Sequence, residues 1–220
     1  MKAARSKKEI SRIREKILES ALDIIVIKGL DGLTMRNLAQ KTGMTAPNLY
    51  NYFSNKNEIY IHLVIRGFEM LYADLKAACD LHQNKIKRLR AMIDTYMAFG
   101  INKPRYYDIM FTRPTPKYND YIGTPLEKIS EVEYKISMEI AALALEAAKE
   151  VMVSNAEDEE LLTRRLVQIW SLMHGMITLN NSQVMGYVAE SADQVYEKII
   201  DEFIDSLAKK SYPALIIDQK

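Results

Sequence analysis

Residues 33–60, LTMRNLAQKTGMTAPNLYNYFSNKNEIY, restrict the fold of this chain more than any other stretch. Thr34 stands where a helix N-cap is wanted, Met35, Leu38 and Ala39 recur on one helix face, and Gly43 offers the left-handed stop that ends many helices. Thr45 caps a second helix. Pro47 is tolerated in its first turn, where amides lack intrahelical partners, and Leu49, Tyr50 and Phe53 follow at helical spacing. Asn55 and Glu58 make a capping-box-like pair that opens a third helix. Two short helices around a tight turn, with a third directly behind, is the layout of a helix-turn-helix DNA reader.

The second helix leaves Thr45, Ala46, Asn48 and Asn51 outward. Asn pairs bidentately with adenine, and Thr and Ala methyls meet the thymine methyl, so this set is suited to reading base edges. Arg36 and Lys56, one near the start of each flanking helix, are placed to neutralise phosphates, with Thr34, Tyr50 and Tyr52 as further backbone-positioning candidates. Tyr50 has an alternative role, with its ring in the core and only its hydroxyl at the phosphate. Spacing alone also describes a small helical subdomain with a polar surface.

The run Leu33-Thr34-Met35-Arg36-Asn37-Leu38-Ala39-Gln40-Lys41-Thr42-Gly43, followed by Leu49-Tyr50-Asn51-Tyr52-Phe53-Ser54-Asn55-Lys56, resembles the signature of TetR-type (tetracycline-repressor-like) transcriptional regulators. It combines a Leu-Tyr-x-Tyr-Phe run, a Lys three residues after the Phe, and an upstream amphipathic helix ending at Gly29. The remainder of the chain resembles the family only in length and helical character. The resemblance implies an all-α fold, with a DNA-binding head over residues 1–56 and a ligand-binding and dimerisation bundle over 57–220. It implies a cytoplasmic homodimer that occupies a palindromic operator on double-stranded DNA, represses transcription and is released by a small hydrophobic ligand. No residue decides repression over activation.

Charge is divided accordingly. Residues 1–60 carry 11 Lys and Arg against 6 Asp and Glu, and the other 160 carry 19 against 23, a basic head on an acidic body. Lys2, Arg5, Lys7, Lys8, Arg12 and Arg14 are concentrated in Met1 to Arg14, which reads either as a flexible arm along phosphates or a minor groove, or as a solvated terminus. No apolar segment follows it as in a secretory signal, and Glu9, Glu15 and Glu19 argue against a transit peptide. No run approaches the roughly 18 apolar residues of a membrane-spanning helix. The single Cys79 excludes an intramolecular disulfide and reads as a small core residue of a cytosolic protein.

Eight Gly and six Pro leave little to interrupt helices. Periodicity predicts helices over about Ile10–Lys28, Asn57–Ala78, Lys85–Ile101, a short one from Pro104 through Met110, then Pro125–Val153, Ala156–Asn180 and Ala192–Lys209. Thr112–Pro125 reads as a long loop. Asn155 with Glu157, Asp158 and Glu159 suits a helix start. In the penultimate helix Leu162, Leu166, Trp170, Met173 and Ile177 form one stripe and Ile169, Leu172, Met176 and Leu179 another, so it wants two partners. It and the last helix are the expected dimer surface, and the helix from Asn57 is the lever that links head to body.

Candidate ligand-contacting residues are Tyr96, Phe99, Tyr107, Met110, Phe111, Trp170 and His174, since small-molecule sites combine apolar walls with a few polar groups. Core packing is the competing role for each. Gly175 beside His174 implies a close helix contact, because Gly inside a helix costs about 1 kcal/mol relative to Ala. His62, His82 and His174 are scattered, no metal or nucleotide motif is present, and no cofactor is expected. The alternatives are a helical interaction module, a ligand-independent DNA-binding protein and, remotely, an all-helical enzyme.

Overall fold

A capping box starts the first helix, α1 (Lys7–Gly32): the Ser6 hydroxyl accepts from the Glu9 amide, and the Glu9 carboxylate accepts from the Ser6 amide at 2.8 Å. The computed structural model describes residues 6–152 and 159–208, and no strand occurs among them. Lys7, Lys8, Arg12 and Arg14 therefore belong to a helix and not to an extended arm, because Ser6 and Glu9 satisfy its free amides; Lys2 and Arg5 lie outside the described residues. Helical geometry ends at Gly29, where φ is +72°, and the chain turns through Gly32.

The two motif helices follow as α2 (Met35–Thr42) and α3 (Ala46–Leu49), and α4 (Lys56–Asp80) leads out of the head. Then come α5 (Lys85–Asn102) and α6 (Pro104–Tyr107), which runs into a π-helical turn over Asp108–Thr112. The expected loop over 112–125 contains a further helix, α7 (Tyr118–Tyr121). It forms because Tyr121 buries its ring against Ile61 and Ile65 of α4, while the Asp120 carboxylate accepts from the Lys117 amide at 2.7 Å. The next helix, α8 (Glu127–Val151), starts two residues after Pro125, with the Glu127 carboxylate accepting from the Gly123 amide at 2.8 Å. The last described elements are α9 (Glu159–Asn181), a 3₁₀ turn (Met185–Tyr187) and α10 (Ala192–Ala208). The predicted start at Asn155 to Asp158 lies outside the described residues.

The chain divides into two compact units, Met1–Tyr72 with Lys103–Met138, and Ala73–Asn102 with Glu139–Lys220; α4 and α8 each run from one into the other. The first unit has a fully buried core of Ile17, Leu22, Ile25, Leu33, Leu38, Leu49, Ile59 and Leu63. Each such side chain contributes about 1.5–3 kcal/mol of transfer free energy. Along α1, the acidic row Glu15, Glu19 and Asp23 pairs with Arg66, Arg105 and Lys41, which fastens α4, α6 and α2 to one helix. A second core joins Ile61, Ile65 and Tyr121 to the partly buried Leu126, Ile129 and Ile136.

In the second unit α5, α9 and α10 pack on one another. The helices bury Met92, Ile93, Tyr96 and Phe99 on α5, Ile169, Met173 and Ile177 on α9, and Ile200 and Phe203 on α10. The two stripes expected on α9 resolve differently. Its inward face is Leu162, Ile169, Met173, Met176 and Ile177, while Val167, Trp170, Leu172 and Leu179 are exposed. The close helix contact expected at Gly175 is made at Gly100 instead: a Cβ there would stand 2.6 Å from Ile177 Cδ1, whereas nothing lies within 4 Å of one at Gly175.

Candidate nucleic-acid interface

The caps that the sequence implies for α2 and α3 form. Thr34 caps α2 by accepting from the Asn37 amide at 3.0 Å, and Gly43 closes it with φ +69°. Thr45 accepts from the Asn48 amide at 3.4 Å. Backbone bonds from Tyr50 to Ala46 and from Phe53 to Leu49 continue helical winding past Leu49, so the recognition segment runs from Thr45 to Phe53. Asn55 caps α4 through the amides of Asn57 and Glu58 at 2.9 and 3.0 Å. Glu58 does not reach back to Asn55, as a capping box would have it; its carboxylate takes the amide and hydroxyl of Ser54 instead.

Leu49 and Phe53 are the buried anchors of this segment. They turn Thr45 and Asn51 fully outward and leave Ala46 and Asn48 half-exposed on the same face, with Asn51 Nδ2 3.5 Å from Asn48 Oδ1. Tyr50 is exposed, ring included, so the alternative of a buried ring is not what forms. Tyr52 points the other way: its side chain is buried, and the segment uses it as packing. Thr34 and Arg36 are exposed at the start of α2. A cation in a helix's first turn opposes the dipole, so Arg36 weakens α2 while making that helix end more attractive to a phosphate. Lys56 is half-exposed, 3.4 Å from the Leu30 carbonyl and 4.0 Å from Asp31.

Arg14 was not legible as part of this structure. Its guanidinium donates to the Tyr52 carbonyl, lies 3.1 Å from His62 Nε2 and sits 4.1 Å above the Phe53 ring. It thereby fixes the far end of the recognition segment to α1 and α4. Burial, and then the Arg14 charge, hold the His62 pKa below the ordinary histidine value. The contact joins residues 38 and 48 positions apart, and no local spacing announces it.

The seven ligand candidates separate into two groups. Tyr107, Met110 and Phe111 belong to the first unit, where Phe111 lies 5.2 Å from Tyr107 and 5.7 Å from Phe68, ring to ring, and Met110 covers Gly67. Tyr96, Phe99, Trp170 and His174 belong to the second. There Trp170 Nε1 donates to the Tyr96 hydroxyl at 2.9 Å, which lies 3.2 Å from His174 Nε2, and burial lowers the His174 pKa. Two of the cavities lie in the second unit. One, of 310 Å³, is lined by residues including Cys79, His82, Arg88 and Glu150; the other, of 390 Å³, by residues including Ile86, Arg90, Asp201 and Ile204. None of the seven candidates lines either. Among the described residues no cluster of His, Cys, Asp and Glu could hold a metal ion, and no helix is long and apolar enough to cross a membrane.

A capped helix-turn-helix head on an otherwise all-helical chain defines the class of helix-turn-helix regulatory proteins. Residues 89–203 match the family model described as the tetracyclin repressor-like C-terminal domain, and residues 17–63 that of the bacterial regulatory proteins of the tetR family. The chain belongs to the tetracycline-repressor-like family of transcriptional regulators. It is 31% identical over 123 residues to the tetracycline repressor protein class D of Escherichia coli, covering 54% of each chain. It is 27% identical over 112 residues to the transcriptional activator FasR of Mycolicibacterium smegmatis, covering 51% of this chain and 48% of FasR. It thus spans about half the length of these curated relatives. A TetR-family transcriptional regulator from Bordetella parapertussis superposes with a TM-score of 0.69 at 15% identity, over 91% of this chain and 98% of that one, which shows a shared fold.

Proposed function

We propose that the protein is a ligand-responsive transcriptional regulator that binds a palindromic operator as a cytoplasmic homodimer and acts as a repressor, with no catalytic activity. The observation that carries this reading is the recognition segment: Leu49 and Phe53 are buried, which leaves Thr45 and Asn51 exposed and Ala46 and Asn48 half-exposed, and the flanking helices begin with the cations Arg36 and Lys56. Base edges take the first set and phosphates the second, with Thr34 and Tyr50 on the backbone and Tyr52 acting from within the core. One such segment reads few base pairs; two related by a twofold axis read half-sites about 34 Å apart. The exposed Val167, Trp170, Leu172 and Leu179 of α9 and Val195 of α10 support a second copy of the chain at the two C-terminal helices.

In functional terms the head is residues 1–56 and the body 57–220, with α4 as the lever between them. A small hydrophobic ligand that binds better to the non-binding arrangement would shift the population away from DNA. For the ligand we keep Tyr96, Phe99, Trp170 and His174 of the second unit, where Tyr96, Trp170 and His174 share hydrogen bonds, and Tyr107, Met110 and Phe111 of the first as candidates. Occupying an operator represses or activates according to where the operator lies, and the relatives named above include one of each kind. Operator binding by the purified protein, measured with Asn48→Ala and Asn51→Ala, tests the reading. Loss of sequence preference with retained weak binding supports it; unchanged preference would overturn the base-contact assignment.

A further inference from the structure

Tyr187 and Val188, at the 3₁₀ turn between α9 and α10, are 92% and 81% exposed, the two most exposed large apolar side chains among the described residues. The turn that carries them is hydrogen-bonded throughout. The Val184 amide donates to the Leu179 carbonyl at 3.2 Å, and the amides of Val188 and Ala189 donate to the Met185 carbonyl at 2.9 and 3.0 Å. Asn181 Nδ2 donates to the Gly100 carbonyl at 3.1 Å, which ties the base of the turn to α5. Gln183 enters the turn with φ +60°, the one non-glycine residue with positive φ among the described residues, a conformation that residues with a Cβ seldom adopt. A constrained backbone thus holds two large side chains where burial within one chain stabilises neither.

The sequence around the turn says what covers it. No Lys, Arg, Asp or Glu occurs between Arg165 and Glu190, in a chain that is 27% charged. Eight of the seventeen exposed large apolar side chains among the described residues lie from Val167 to Val195, along α9, through the turn and onto α10. Depletion of charge together with exposed apolar and aromatic side chains is the composition of an interface core. Leu179, exposed near the end of α9, gives its carbonyl to the Val184 amide, so the turn continues the α9 surface. A lipid surface would ask for Lys or Arg beside the apolar side chains, and the turn is followed by Glu190 and Asp193 instead. An uncharged surface is matched by another uncharged surface, and in a twofold pair each copy supplies one. We propose that the turn between α9 and α10 is an arm of the homodimer, with Tyr187 and Val188 of each copy packed against the uncharged α9 surface of the other. The arm rests on the dimer reading above and adds to it residues that lie outside both helices.

Sedimentation of the full chain across a concentration series tests it. Tyr187→Ser with Val188→Ser should raise the dimer dissociation constant roughly tenfold or more, as loss of a buried aromatic anchor does, and Tyr187→Phe should leave it within about threefold. Leu81→Ser, which removes a side chain 76% exposed outside this surface, should leave it unchanged. Benzoylphenylalanine in place of Tyr187 should cross-link, on irradiation, to an α9 peptide of an isotopically labelled second copy. An unaltered dissociation constant in the double variant, or cross-links confined to the same copy, would overturn the arm. Loss of binding to phosphatidylglycerol vesicles in the double variant, with dimerisation unchanged, would assign the turn to lipid and overturn it too. Should the double variant not fold, Tyr187→Ser alone and the cross-link decide. Gly175→Leu separates the two readings. A dimer split by Gly175→Leu but not by the double variant removes the arm alone; a dimer that survives both, or a chain monomeric at every concentration, removes the dimer reading with it.

Discussion

At the scale of single residues, the head depends on a side chain that touches no base in this account. Arg14 ties Tyr52, Phe53 and His62 together. Arg14→Ala should cost about 1–3 kcal/mol in urea unfolding, the range for leaving a buried hydrogen-bond partner unmet, and weaken operator binding by loosening the recognition segment. The same contact sets a pH dependence. The His62 pKa is lowered in the folded state, so the unfolded chain binds the proton first. Its contribution to stability is complete above the unfolded value of 6.5 and is lost as pH falls from 6.5 through the lowered folded pKa. His174 adds in the same direction. Glu133 acts oppositely, since its raised pKa removes stability as pH rises from 4.5 through the folded pKa. Melting temperature against pH for wild type and His62→Gln should diverge below 6.5, the wild type losing more; parallel curves would remove His62 from the account. Thr34, Gly43 and Thr45 were legible because a cap acts within four residues. Arg14 and Tyr60, whose partners lie 38 to 55 positions away, were not.

At the scale of elements, two glycines separate conformational from packing demands. Gly43 holds φ +69° in open space, so Gly43→Ala should cost about 1 kcal/mol through backbone strain alone. Gly100 has an ordinary backbone, yet a Cβ there meets three atoms of the fully buried Ile177 at 3.0 Å or less. Gly100→Ala should therefore cost about 1–3 kcal/mol by overpacking α5 against α9, and Gly100→Ala with Ile177→Val should recover part of it, measured by thermal unfolding. Helix positions were readable from a 3.6-residue period because burial imposes that period. Which of two apolar stripes on α9 faces inward was not, because both satisfy it. Nor was α7, whose four residues are held by the distant Ile61 and Ile65 rather than by local propensity.

For the whole molecule, Gly175 offers a clean separation of folding from assembly. Among the described residues nothing beyond its own helix turn lies within 4 Å of a Cβ there, and it sits among the exposed positions of α9. Gly175→Leu should leave the melting of the isolated chain nearly unchanged yet shift sedimentation toward monomer and abolish palindrome binding. A dimer that persists would place the interface elsewhere. The division of charge belongs to this scale too: in the function proposed above, the basic first 60 residues, and not the acidic remainder, are the part that would meet nucleic acid.

In the proposed function the outward face of the head reads a palindrome. Selection of bound sequences from a random duplex pool with purified protein, followed by titration of the enriched sequence at two salt concentrations, tests it most directly. An inverted repeat is expected whose binding weakens as salt rises, with Arg36→Ala or Lys56→Ala each lowering the salt slope by about one. A pool with no enriched sequence, or binding indifferent to salt and to both substitutions, would contradict it.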